Sequence, residues 1–331
     1  VTFFDPVTIE GDQILVNGQL TGADNASVTL RKFDEFLLTS TTFLNAPIVT
    51  NGNEVTIDDS VKVGTNASID TTNGGLMALG ANVTFTQPVD SVSAQTNSLT
   101  INAGIAGLVT FLNSVGASDP LQDLTVDAQT VDFTSDVNLA GDLLANLDTF
   151  MLSQTLTAGN NIDLQANDGV QIDFNATLQT IGSGQITIDP DANNDGDGTL
   201  TVIEEGTIAT SLGGPLTITA ADVDFRRGEG QADVNAGSGT VTLQPSTTGR
   251  TIDLGSNGGS GQFVATDQEL DLITAGKLTI GSATAGNVVF TGAVNLESAD
   301  PLEIITGGSV NDTGSSTAFT GTNLAISSTQ G

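Results

Sequence analysis

The sequence contains no cysteine, no histidine, no tryptophan and no tyrosine. Each absence removes a class of chemistry. Without Cys there is no disulfide, no thiol nucleophile and no thiolate metal site. Without His no Ser-His-Asp triad can be built, and ordinary zinc or haem ligation is gone. The missing Trp and Tyr count against a lectin that stacks sugar rings on aromatic faces. Bases are scarce as well: seven Lys and Arg face 39 Asp and Glu, a net charge of −32. Phosphate neutralisation needs clustered bases, so nucleic-acid binding is excluded, and anionic membrane surfaces repel the chain by the same argument. No apolar run approaches the ~20 residues of a membrane span. Carboxylates, hydroxyls and a few bases are left to do chemistry.

What is present is a repeat. Val-x-Phe-x-x-x-Val begins at Val1, Val83, Val109, Val131 and Val288, and a softened copy runs through Ile172, Phe174 and Leu178. The steps from Pro6 to Pro47 and from Pro47 to Pro88 are 41 residues each, while Val83, Val109 and Val131 follow at 26 and 22. A unit of about 20 to 25 residues suits one turn of a parallel β-helix and is too short for a propeller blade or an ankyrin repeat. Short alternating runs such as Leu99-Thr100-Ile101 and Leu216-Thr217-Ile218 read as half-buried strands. Pro6, Pro47, Pro88, Pro120, Pro215 and Pro301 each precede Val, Ile or Leu, the position at a strand start where proline is tolerated. Two stretches, Arg31 to Leu38 and Leu139 to Met151, are the helix candidates, and the second alternates well enough to be strand. No linker or change of composition divides the chain. The expectation is an all-β, right-handed parallel β-helix of about 14 to 16 coils over residues 1–331, its interior filled by Val, Ile, Leu and most of the 14 Phe.

The acids are scattered, and Asp132, Asp173 and Asp224 each sit inside a [Val/Ile]-Asp-Phe triplet. A solvated outer face that keeps the chain soluble accounts for most of them. The sharpest constellation starts at Asp189. Counted from Asn193, the residues Asn193, Asp195, Asp197, Gly198 and Glu204 fall at positions 1, 3, 5, 6 and 12 of an EF-hand-like loop. That spacing converges hard oxygens on Ca2+ around a glycine-enabled bend, although the flanking segments read as strands and not helices. The same residues also suit a plain acidic turn. Among carboxylate pairs, Asp58-Asp59 points to opposite faces of a strand, whereas Asp222 and Asp224 share one. Arg226-Arg227 beside that second pair is the one place where a calcium-dependent polysaccharide lyase site would assemble. The alternative there is an exposed turn with local charge balance.

The stretch from Ala265-Thr-Asp-Gln-Glu-Leu through Leu278-Thr-Ile-Gly-Ser, continuing at Ala285-Gly-Asn-Val-Val-Phe and Thr306-Gly-Gly-Ser-Val, resembles the repeats of large bacterial exoproteins of the filamentous-haemagglutinin-like and autotransporter-like kind. Gly107-Leu-Val-Thr-Phe to Leu121-Gln-Asp-Leu-Thr-Val-Asp-Ala is similar to a second repeat type of the same proteins. The resemblance covers roughly residues 80 to 331. It implies a right-handed parallel β-helix, export across a bacterial envelope, and adhesion or surface structure, and it brings no catalytic residues. Neither end reads as capped, so either the chain is a piece of a longer polypeptide or its coils stack end to end between subunits. The reading is a non-enzymatic shaft of an extracellular filament or surface adhesin, without nucleic acid or membrane insertion and with its surface ligand open. The runner-up is the secreted, calcium-dependent polysaccharide-acting enzyme.

Overall fold

A computed structural model describes residues 1–33, 40–93, 96–227, 231–256, 262–296, 298–299, 301–313, 319–321 and 323–329. The Arg31 to Leu38 helix candidate therefore lies mostly outside the described residues. The chain forms two compact units, Val1–Gly159 and Asn160–Gly331, and each is a parallel β-helix.

In the first unit, one face is a column of seven strands: Thr2–Phe3, Leu20–Gly22, Ile48–Thr50, Ala67–Asp70, Leu99–Phe111, Leu124–Phe133 and Leu143–Leu152. Each is paired in parallel with the next. A second column, Val7–Glu10, Val28–Arg31, Val55–Asp58 and Val83–Phe85, then merges into Leu99–Phe111. The third face runs through Gln13–Val16, Thr41–Leu44, Ser60–Val63 and Val89–Ser91.

The second unit repeats the plan. Its first face stacks Ile162–Ile172, Ile186–Asp189, Leu216–Ala220, Thr240–Pro245, Lys277–Ser282, Leu302–Thr306 and Leu324–Ser328. Among the described residues each unit holds seven such rungs, fourteen in all, within the expected range.

The physical cause is the two-residue alternation. In Val55–Asp58 and Val28–Arg31 the apolar side chains are buried and Thr56 and Thr29 point outward. Because pairing is in register, like stacks on like. Val83, Val109 and Val131 form one inward column, and Phe85, Phe111 and Phe133 form the next. The Phe85 and Phe111 rings are parallel within 1° at 4.8 Å, and Phe133 continues the stack at 5.3 Å. Such pairs add ~0.5–1.5 kcal/mol to the burial itself.

The prolines stand at the corners as expected. Proline gives up its N–H but keeps its carbonyl in the ladder: those of Pro47, Pro88, Pro215 and Pro301 accept from the amides of Leu20, Val61, Ile186 and Leu278 at 2.8 to 3.0 Å.

Three expectations need correction or refinement. The copy at Val1 is out of register with the others, since Thr2 pairs with Thr21, while Val7 is the residue that heads the Val83 column. In the softened copy Ile172 is buried but Phe174 is 56% exposed. The strand ends at Ile172, and Asn175 at φ 60 turns the chain, closed by Ala176 N donating to Asp173 O at 3.0 Å. Leu139 to Met151 holds no helix: Leu139 ends the strand Val137–Leu139, a bend follows at 140–141, and the alternation resumes as the strand Leu143–Leu152.

Candidate functional site

The acidic turn 190–198 joins the strands Ile186–Asp189 and Thr199–Val202. Asn193, Asp195 and Asp197 lie together in it and are exposed. They are linked by short-range bonds: Asn193 Nδ2 donates to Asp195 Oδ2 at 2.9 Å, Asp195 N to Asn193 Oδ1 at 3.2 Å, and Asp197 N to Asp195 Oδ1 at 3.1 Å. The two backbone donations are Asx turns, the local bonding for which Asn and Asp are favoured in loops.

Glu204 is not brought to them. The extended strand Thr199–Val202 intervenes, ~13 Å of chain at strand rise, and carries Glu204 to the neighbourhood of Arg226. An EF-hand needs its twelfth residue to close on the ion from the same loop, so this geometry does not fit one. Among the described residues no group of three or more His, Cys, Asp or Glu is placed to hold a metal ion.

The residue that organises the turn is Asp191, which is completely buried. Its carboxylate accepts from Gly196 N, at 3.2 Å to each oxygen, and from the Ser246 hydroxyl. Arg250, from the same neighbouring segment as Ser246, donates through Nη1 to Gly196 O at 3.1 Å and through Nη2 to Gln262 O at 3.3 Å. Gly198 is obligatory, because a Cβ there would lie 1.8 Å from Pro190 O. Burial pushes the Asp189 carboxyl above the ordinary aspartate range, and the nearby carboxylates of Asp191 and Asp163 add to it.

The second candidate, Asp222 with Asp224, is on one strand face as expected, both outward of Val223 and Phe225. The two are nevertheless divided in role. Asp222 is covered by the strand Phe263–Thr266, whose Val264 N donates to it at 2.8 Å, and burial raises its pKa. Asp224 pairs with Arg226 at 2.8 Å, and Arg227 pairs with Asp271 at 3.1 Å. Both arginines that a lyase would use as a proton acceptor are thus held in ion pairs. Of the other pair, Asp59 is buried and accepts from the Ser40 and Thr42 hydroxyls, while Asp58 accepts from Thr86.

The carboxylates around Phe263–Thr266 form a structural fastening that the sequence reading did not pick out. Ile252–Gly255 pairs in parallel with both Phe263–Thr266 and Val288–Phe290, so the later strand 263–266 sits on the earlier side, against Asp222. The α-helix Asp267–Leu270 follows it. Thr266 caps this helix, and Glu269 reaches back to Thr266 N at 2.8 Å while also accepting from Phe225 N at 3.3 Å. Burial, chiefly, and the charge on Asp222 raise the Glu269 pKa. Thr266-x-x-Glu269 is a capping-box signature and was the available signal. Asp191 offered none beyond its place in a run of acids, because its partner Ser246 is 55 residues away.

Neither a protein-family signature, nor a curated protein, nor a solved structure matches this chain.

Proposed function

We propose that this chain is a non-enzymatic structural segment, the β-solenoid shaft of a bacterial extracellular filament or surface adhesin. The observation that carries the reading is the in-register stacking of like side chains over successive turns, as in the column Val83, Val109, Val131 and its parallel Phe stack. A fold held by nearest-neighbour contacts alone extends by adding identical turns. The acidic composition, the missing His, Cys, Trp and Tyr, and the pairing of Arg226 and Arg227 in ion pairs all favour scaffold over catalysis. On this reading the ladder continues into further turns, either of the same polypeptide or of a neighbouring subunit.

Two measurements test it. Electron microscopy of the material that cells display should show fibres with an axial spacing of ~4.8 Å between strands. Incubation with pectate, alginate and other acidic polysaccharides in the presence of calcium should give no chain cleavage and no unsaturated product. Turnover that disappears in the Arg226→Ala or Arg227→Ala variant would overturn the proposal in favour of a lyase.

A further inference from the structure

Large apolar side chains are exposed at several isolated points, but in the first unit they gather. Leu76, Leu79 and Ile105 are 79%, 64% and 62% exposed, and Met77 and Leu108 flank them at 42% and 37%. Leu79 and Ile105 stand on adjoining backbone, since Ile105 N donates to Ala78 O at 3.1 Å and Ala106 N to Leu79 O at 3.0 Å, and Leu76 lies three residues back on the same loop.

The loop that carries Leu76 and Leu79 is firmly framed. Asp70 accepts from Thr72 N at 2.8 Å and from Gly74 N at 2.7 Å, Met77 N donates to Thr72 O at 2.8 Å, and Gly80 N to Met77 O at 2.8 Å. Its far end is sealed by Thr71 Oγ1, which accepts from Ala81 N at 2.9 Å. Gly80 (φ 61) and Gly104 (φ 74) let the two backbones touch; a Cβ on Gly80 would lie 1.8 Å from Ala103 O. The apolar side chains are therefore held outward by a frame that does not let them collapse. Exposed apolar side chains carried on adjoining backbone in this way mark an interaction site.

Charge selects the occupant. Between residues 40 and 159 the sequence has one base, Lys62, and it is paired with Asp90 and Asp119 on the third face. Asp70 stands at the foot of the loop. Asp127 and Asp132 lie on the neighbouring strand, in register with Asn102 and Thr110 at either side of Ile105 and Leu108. A second copy of the chain, at −32, would bring acid against acid, and an anionic lipid surface is opposed in the same way. Apolar contact inside an acidic rim fits a partner with apolar residues flanked by Lys or Arg.

We propose that the loop 72–81, with Ile105 and Leu108, is a docking face for a cationic amphipathic segment of another protein. The proposal stands independently of the shaft reading.

The test is calorimetric titration of the whole chain with a synthetic amphipathic peptide of leucine and lysine, at low and at physiological salt. A leucine–glutamate peptide serves as control. The expected result is one-to-one binding of the lysine peptide only. Affinity should fall at least tenfold in the triple variant Leu76→Ser, Leu79→Ser, Ile105→Ser, which leaves the charge unchanged, and severalfold in Leu76→Ser alone, in case the triple variant folds poorly. The pair Ile181→Ser, Leu212→Ser, exposed apolar residues of the second unit, should bind as the parent does. Equal binding by parent and triple variant would mean attraction by charge alone and would overturn the proposal. So would concentration-dependent self-association that the triple variant abolishes, or sedimentation with phosphatidylcholine vesicles that depends on the same three residues.

Discussion

Two regions of this molecule solve the same problem with different chemistry. Around Phe85, Phe111 and Phe133, consecutive turns are joined by aromatic rings stacked on one another inside the helix. Around Phe263–Thr266 a strand enters out of chain order. It is fastened from outside by Asp222 on Val264 N and by Glu269 on Phe225 N. The first region needs only repetition of side chains at a fixed spacing. The second needs two carboxylates, each set against a backbone amide 42 or 44 residues away in the sequence and partly stripped of water. Burying the charged form of a carboxyl costs free energy that the hydrogen bonds offset only in part. The apolar stack should thus be indifferent to pH, while the fastening responds to it.

The largest effect should come from breaking the stack. Phe111→Ala removes the middle ring, which is fully buried between two others, and should destabilise the first unit by about 3–5 kcal/mol. Urea unfolding followed by far-UV circular dichroism reads this out. The midpoint should move at constant slope, and by the same amount at pH 5 and pH 7. A loss under 1 kcal/mol would show that neighbouring turns close the gap.

Next in size is Asp191→Ala, which leaves Gly196 N and the Ser246 hydroxyl without their acceptor. Each unsatisfied buried group costs ~1–3 kcal/mol, so the second unit should lose about 2 kcal/mol and Asp191→Asn less. Unchanged unfolding in Asp191→Ala would mean that solvent replaces the acceptor.

The fastening is sharpened by pH. The folded-state pKa values of Asp222 and Glu269 are raised, so the folded state holds these protons more tightly than the unfolded chain. The stabilisation they give is fully present below the unfolded carboxyl range and is lost as pH rises through the folded values. Urea midpoints of the second unit should therefore rise as pH falls from neutrality toward the ordinary carboxyl range. Glu269→Gln keeps an oxygen able to complete the capping box but sets an amide NH2 against the second backbone donor, so it should flatten that slope and also lower the midpoint at pH 7. A slope that is unchanged would assign the pH response elsewhere.

The smallest effect is expected at a corner. Pro215→Ala retains the carbonyl that Ile186 N donates to and releases only the preset backbone angle, so about 0.4–1 kcal/mol should be lost. A thermal melt of the variant beside the parent would detect it.

The contrast also explains what could be read in advance. The stack was legible because its information is local and periodic: Val83, Val109 and Val131 state the register, and the residues two places on state what fills the interior. Pro47, Pro88 and Pro215 stated the corners for the same reason. Phe174 misled because three residues of a motif do not reveal where a strand stops, and Asn175 at φ 60 stops this one. The count from Asn193 to Glu204 says nothing of the strand Thr199–Val202 inserted within it. Asp191, Ser246 and Arg250 were silent, since their meeting is made by turns stacked on one another and leaves no spacing in the sequence. The docking loop fell between these cases. Leu76, Met77 and Leu79 are apolar, and nothing in their order says that they point outward.

The acidic turn and the apolar loop share one address. The first leaves between Ile186–Asp189 and Thr199–Val202, and the second between Ala67–Asp70 and Val83–Phe85. Each therefore departs after the first strand of its turn and returns before the second. In Leu99–Phe111, Leu124–Phe133 and Ile162–Ile172 the chain runs through that same corner as one continuous strand. Register is set by the strands on either side, so a corner that runs straight through in some turns and carries nine (190–198) or twelve (71–82) residues in others constrains mainly the few residues that fasten the insert down, such as Asp191 and Gly198. Such a port lets new surface chemistry be tried, kept or discarded one turn at a time, while the ladder beneath it inherits unchanged.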